Sequence, residues 1–374
     1  MSTLTVEAVQ TSRQRKAFLR LPWQLYRDIS LWVPPLRREE LGLVGYRPHP
    51  FYENAESQTF LAQRNGKACG RVAAIDNRTH NEYQDEKRGF FGFFECRNDP
   101  EAATALFDAA REWLAERELY DVRGPANPSL NYTIGTLIEG FDVPPGFMLP
   151  YNLPYYGELI EGCGFRKAQD LYAYEGNTDA LPEVVAKRAA IIDQMIERHN
   201  ITFRWLKRKH LRSQVREFLT IFNQSLTDHW SFVPISQSEV DEMARGLSWL
   251  LVPEMGVGAE IDGRLVGVCF ILPDYNPRLR KIRGRLFPFG FLRLILGKHR
   301  IKRCRIVAAN VLPEYRLLGV GVAMIQALRL RWQDTGIQEA EFSWVAESNL
   351  LSRGTLEKMG AVRTKTYRVY DLER

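Results

Sequence analysis

Apolar positions along the chain follow two spacings, and the switches between them predict the elements. Period-two runs or short unbroken apolar stretches predict strands at residues 4–9, on either side of Asn65-Gly66 in "TFLAQRNGKACGRVAAIDN" (residues 59–77), and in "GFFGFFE" (residues 89–95). Asn-Gly suits a tight hairpin because both residues tolerate positive φ. Apolar residues three and four apart predict amphipathic helices at residues 13–27 and in "NDPEAATALFDAAREWLAER". In the second of these Asp99 is the expected N-cap and Pro100 the first helical residue. A strand at residues 120–123, a glycine-stopped helix in "YYGELIEGCGF" and a strand in "DLYAYEG" close the first half.

The same order returns in the second half. A connecting helix at residues 180–199 leads to a strand in "ITFRWL", a helix at residues 212–223 and a hairpin through Asp262-Gly263 in "GAEIDGRLVGVCFILPD". Then come a strand in "RIVAANV", a helix at residues 320–333, a strand in "EAEFSWV", a helix in "NLLSRGTLEKMG" and a last strand in "AVRTKTYRVYDL". The chain reads as an internal repeat of about 180 residues, recognisable by element order more than by identity. The expected class is α/β (α+β): two tandem domains, residues 1–178 and 179–374, each a mixed, mostly antiparallel sheet with helices on both faces.

Composition agrees with this and adds one feature. The 374 residues are 45% hydrophobic and 26% charged, a globular balance with length for two domains. No apolar run reaches about 18 residues, so no membrane-spanning helix is expected. Residues 1–20 lack a hydrophobic signal core, and a cytoplasmic location is expected. The cysteines, Cys69, Cys96, Cys163, Cys269 and Cys304, are scattered without ligand spacing. Reduced thiols and no metal site follow as expectations. Charge is local: residues 275–313 hold eleven Lys and Arg and no Asp or Glu, so the net +6 becomes −5 outside them. Such a patch expects an anionic partner.

Within the patch, "IRGRLFPFGFLRLILGKHRIKR" (residues 282–303) brackets a dense Leu/Phe/Ile run with basic residues. It belongs to an insert at about residues 275–303, between the third and fourth strands of the second half. Three readings compete: a buried extra helix with a solvated basic end, a nucleic-acid surface, or an element lying on an anionic membrane or lining an acyl-chain path. The aromatic residues are not interleaved as stacking platforms, so no nucleic-acid partner is expected. Basic residues around Leu and Phe are the composition of an interfacial element, which is the preferred reading.

Candidate chemistry concentrates in "NVLPEYRLLGVGVAMIQAL" (residues 310–328). A strand runs through Val311 and Leu312 into Arg316, Leu317, Leu318, Gly319, Val320, Gly321 and Val322, where a helix begins. Free N–H groups and the positive dipole end at a helix start bind anions. Glycine lets a diphosphate approach the backbone. This resembles the pyrophosphate loop of the GNAT acyltransferase superfamily, and "NLLSRGTLEKMGA" resembles that family's following helix. The resemblance implies that the backbone of residues 317–322 holds the pyrophosphate of acyl-CoA, with Arg316 adding a cation. It also implies that Val311 faces the thioester carbonyl and Asn349 the pantetheine arm. Acyl-CoA, or an acyl carrier protein, then enters as co-substrate, with no resident cofactor. Leu356 stands where the family often has the tyrosine that protonates the leaving thiolate, and Ala361 where it has a phenylalanine. At the equivalent junction the first half has "ECRNDPEAAT", whose acidic residues and proline disfavour a pyrophosphate.

An N-acyltransferase must take a proton from the attacking ammonium. His229, in "LTDHWSFVP" between two helices, is the first candidate base. Glu347 and Glu254 follow it. The whole chain resembles a bacterial group of tandem GNAT-like proteins that includes ceramide synthases. That resemblance implies transfer of an acyl group to the amine of a lipid long-chain base, by a protein held peripherally at the inner membrane. A soluble acetyltransferase of a small amine or peptide, and a non-catalytic acyl-CoA binder, are the alternatives.

Overall fold

The computed structural model describes residues 3–177, 181–332 and 336–374. They form two compact units. One comprises Met1–Leu171, Leu279–Arg285 and Lys365–Arg374, the other Tyr172–Arg278 and Leu286–Thr364. The expected boundary between residues 178 and 179 lies outside the described residues.

The first half of the chain runs β1 (Leu4–Ala8), α1 (Ser12–Leu25), α2 (Arg37–Leu43), β2 (Ala55–Arg64), β3 (Lys67–Asn77), α3 (Arg78–Gln84), β4 (Arg88–Cys96), α4 (Pro100–Ala115) and β5 (Asp121–Gly124). Three short strands follow, β6 (Ala126–Asn127), β7 (Thr133–Ile134) and β8 (Thr136–Glu139), then α5 (Tyr156–Gly162) and β9 (Arg166–Asn177). The second half runs α6 (Leu181–Arg198), β10 (Ile201–Trp205), α7 (Leu211–Ser225), α8 (Gln237–Leu250), β11 (Gly256–Ile261), β12 (Arg264–Pro273), α9 (Asn276–Ile282), α10 (Gly290–Ile295), β13 (Arg303–Val311), α11 (Val320–Trp332), β14 (Glu339–Ala346), α12 (Leu350–Lys358) and β15 (Val362–Leu372). No described helix is long and apolar enough to cross a membrane.

In the first unit the strand order is β1-β2-β3-β4-β5, followed by β15. The aromatic run of β4 explains its core. Phe91 and Phe94 meet Phe107 of α4 at 5.0 and 4.9 Å, and Phe91 meets Phe165 at 5.0 Å. Asp99 caps α4 as expected, accepting from the Ala102 N–H. On the face covered by α1 and α2 the buried charges answer one another. Arg71 reaches Glu40 at 3.2 Å, and Glu95 accepts from the hydroxyls of Tyr26 and Tyr156 at 2.7 Å.

The parallel pairing of β4 with β5 covers only Arg88–Phe90 against Asp121–Arg123. Beyond it the chain fills its own gap. A Cβ on Gly92 would lie 1.9 Å from the Ala126 carbonyl oxygen, and the Phe93 N–H donates to Asn127 Oδ1. This junction has no open space between its strands for a ligand arm.

Each half does not keep its own closing strand, as the repeat implied. Lys365–Arg374 belongs to the first unit, where β15 pairs antiparallel with β5 (Tyr370 opposite Gly124, Asp371 opposite Arg123) and with β8. Arg123 grips Asp371 with two bonds of 2.8 and 2.7 Å, both side chains being largely buried. A strand's own pattern specifies which face is apolar but not which edge it joins. Asp371→Ala should remove about 2 kcal/mol and lower the unfolding midpoint of the unit by roughly 4–8 °C, checked by calorimetry.

In the second unit the order is β10-β11-β12-β13-β14, and Tyr172–Asn177 of β9 follows. Its core joins Val257, Val266 and Ile271 of the sheet to Val320, Met324 and Leu328 of α11 and Leu356 of α12. α8 is the second of the two helices expected around His229, and Ser236 and Glu239 form a capping box at its start.

Candidate active site

β13 and β14 lie parallel, and their pairing stops early. Arg303–Ile306 is matched to Glu339–Phe342, yet β13 continues to Val311 and β14 to Ala346. Over Val307–Val311 and Ser343–Ala346 the two strands are not paired with each other. Ala309, in the middle of β13, is exposed there. An opening between parallel strands at their carboxyl ends offers unsatisfied backbone groups to an extended, amide-bearing ligand arm.

The chain leaves β13 through a 3-10 turn, Pro313–Leu318, and reaches Gly319 at φ 74°. Gly319 allows this left-handed step without a Cβ penalty. The first bond of α11 runs from the Ala323 N–H to the Gly319 carbonyl at 3.0 Å. The N–H groups of Val320, Gly321 and Val322 therefore have no acceptor within the helix. A Cβ on Gly321 would meet nothing nearer than Val311 Cγ2 at 3.8 Å. Together the N–H groups and the helix dipole suit a pyrophosphate. Leu317 is exposed on this loop, while Leu318 packs on the core.

Two neighbours crowd the loop. Met195 of α6 stands over Gly319, its Cε 1.8 Å from where a Cβ would be. α6 is anchored there by Gln326 donating to Asp193 at 3.1 Å and by Ile192 packing on Ala323 and Met359. Arg316 is not left open to an anion. It donates to Asp228 Oδ2 at 2.6 Å and to the Ser225 carbonyl at 2.6 Å. The arginine ties the phosphate-type loop to the segment between α7 and α8. Its hydrogen bonds hold the Asp228 carboxyl down to about 2.

That segment carries His229, so the structure brings the candidate base to the edge of the loop. Its Nδ1 is buried and has no hydrogen-bond partner. Burial, and then the charge of Arg316, hold the imidazole below its usual 6.5, against a smaller pull from Asp228. A neutral ring with an unused nitrogen can accept a proton. Glu347, just beyond β14, accepts from the Tyr172 hydroxyl at 3.2 Å. Glu254 is exposed and lies on a separate turn before β11.

The other expected residues take partly structural places. The Val311 side chain is buried in the core, and the Leu312 N–H donates to the Val266 carbonyl. Asn349 caps α12, its Oδ1 accepting from the Ser352 N–H at 3.0 Å. Leu356 is buried beside Tyr172 and Tyr174, which come from β9. A polar network along β13 and β14 was missed. Arg303 donates to Glu341 at 3.0 Å, Ser343 to Glu341 at 2.8 Å, and Arg305 to Ser343 Oγ at 3.0 Å. The alternation of Arg303 with Arg305 and of Glu341 with Ser343 was visible, but not that the two strands are neighbours.

Comparison with known proteins found a family match and relatives along nearly the whole chain. Residues 216–361 match the family described as acetyltransferase (GNAT). Over nearly its full length the chain is similar to a protein named bacterial ceramide synthase from Caulobacter vibrioides (strain NA1000 / CB15N). The two are 32% identical over 379 residues, 98% of this chain and 97% of that protein. The protein YghO of Escherichia coli (strain K12) is also 32% identical, over 95% of this chain and 92% of its own. Among solved structures, a tandem GNAT protein from the clavulanic acid biosynthesis pathway covers 99% of this chain and 98% of its own, with a TM-score of 0.56 and 10% identity. A GCN5-related N-acetyltransferase from Sphaerobacter thermophilus covers 99% and 95%, with a TM-score of 0.52 and 15% identity. At these identities the structural likeness concerns the fold.

Proposed function

The chain belongs to the GNAT acyltransferase family, and we propose that it moves an acyl group from acyl-CoA to the amine of a lipid long-chain base, as a ceramide synthase would. The observation that carries acyl transfer is the opening between β13 and β14, which ends at a helix start with free N–H groups. The lipid acceptor is supported by the near full-length similarity to the protein named bacterial ceramide synthase and by the basic, apolar insert.

In this reading the pyrophosphate lies on Val320–Val322 and the pantetheine arm enters the opening, placing the thioester near the end of β13. The amine attacks the thioester carbonyl after giving its proton to His229. Collapse of the tetrahedral adduct breaks the C–S bond, and the second proton of the nitrogen passes to the departing thiolate, leaving the amide and free thiol. Leu356 offers no proton, and a thiol with a pKa of about 8.5 is a tolerable leaving group without one. The acceptor's lipid character sets the reaction at an anionic membrane face.

Purified protein given palmitoyl-CoA or acetyl-CoA with a sphingoid base should release free thiol and N-acyl product in equal amounts from the long-chain donor. A parallel arm with acyl carrier protein as donor tests the carrier. Coenzyme A binding without turnover of any amine would overturn the enzymatic reading.

A further inference from the structure

We propose that residues 286–302, the second-unit stretch leading into β13, form a docking knob that seats the second unit on an anionic bilayer. The inference rests on the lipid-acceptor reading and names the surface that serves it. The segment is a built element. The guanidinium of Arg278 donates to the carbonyls of Leu294 (2.9 Å), Leu296 (2.7 Å) and Gly297 (2.7 Å), the otherwise unmatched acceptors where α10 ends. Lys298 donates to the Trp249 and Leu251 carbonyls at the end of α8. One cation thus closes the turn and another fastens it to the unit.

What this scaffold presents is apolar. Leu294 is the buried residue of α10. Phe287 is 78% exposed, Phe289 69%, Leu296 65% and Leu292 46%. Trp249, from α8, is 57% exposed and meets Phe291 edge-on at 5.6 Å. Single exposed apolar residues are ordinary, but four on one pinned element, with Trp249 of α8 added, make an interaction surface. Arg293, Arg300 and Lys302 are exposed on the same stretch, and residues 275–313 contain no acidic side chain. An anionic bilayer matches both features, taking the rings among its acyl chains while the guanidinium and ammonium groups stay at the phosphates. An acidic protein partner would answer the charge but leave the rings without an apolar host.

The test uses the whole protein and vesicles of phosphatidylcholine, with and without phosphatidylglycerol, followed by co-sedimentation. Binding is expected on the anionic vesicles and should weaken as salt rises. Phe287→Ser and Phe289→Ser should each weaken it on the order of tenfold. Arg293→Gln with Arg300→Gln should reduce the preference for phosphatidylglycerol. Unfolding midpoints should not move, because these side chains point outward. Equal binding to neutral vesicles, or a Phe287/Phe289 double variant that binds like the parent, overturns the proposal, as does capture by purified acyl carrier protein in place of vesicles. The vesicles contain neither donor nor acceptor, so docking without acylation would sink only the enzymatic reading. Acylation of a detergent-dispersed base by a protein that ignores vesicles would sink only the knob.

Discussion

His229→Ala should lower the turnover of the long-chain amine by about 10²–10⁴-fold, the range expected when a positioned general base is removed, and should leave acyl-CoA affinity nearly unchanged. The pH profile is the sharper readout. Burial and Arg316 place the folded pKa of His229 below 6.5. The neutral, proton-accepting form therefore persists at pH 7. It is lost only as the pH falls through that lower value, so the wild-type rate should show an acid limb below 6.5. The variant should lose that limb along with its rate. The same sign applies to stability: a histidine whose folded pKa is depressed protonates more readily in the unfolded chain, so acid favours unfolding through this group. If His229 merely packs beside the Arg316–Asp228 pair, the alanine variant will shift acyl-CoA affinity or the unfolding midpoint while keeping the limb.

Gly319→Val should cost on the order of a hundredfold in acyl-CoA affinity, measured by calorimetric titration. The step at φ 74° opposes any β-branched residue, and its Cβ would meet Met195. Turning the loop away from this geometry misaligns the Val320–Val322 N–H groups, and charge-assisted bonds to a phosphate are worth about 1.5–3 kcal/mol each. Gly321→Ala is the steric control: its Cβ would stand in ordinary contact, so the unfolding midpoint should hold. Unchanged affinity in Gly319→Val would remove this loop as the pyrophosphate site.

Local signals were legible where a residue's own chemistry decides its conformation. Asp99 and Pro100 open α4, and Asn65-Gly66 and Asp262-Gly263 turn their hairpins at positive φ. The strand–glycine–helix stretch from Val311 to Val322 has its expected shape. Other features depend on partners far away in the chain. Arg316 resembles a free phosphate ligand until Asp228 arrives 88 residues distant to hold it. Phe287, Phe289 and Phe291 look alike in sequence, but Trp249 covers Phe291 and leaves the other two outside.

A tandem α/β chain with a glycine turn opening a helix in its second half could be read from local pattern, because helix periodicity, caps and glycine turns are set within a few residues. Long-range packing settles that β15 closes the first unit, that β13 and β14 part beyond Ile306, and that the first copy's gap is filled by Ala126 and Asn127. Strand choice and side-chain pairing are settled by whichever edge, carboxylate or cavity the folded chain brings near. That information belongs to contacts between distant segments, and no local pattern carries it.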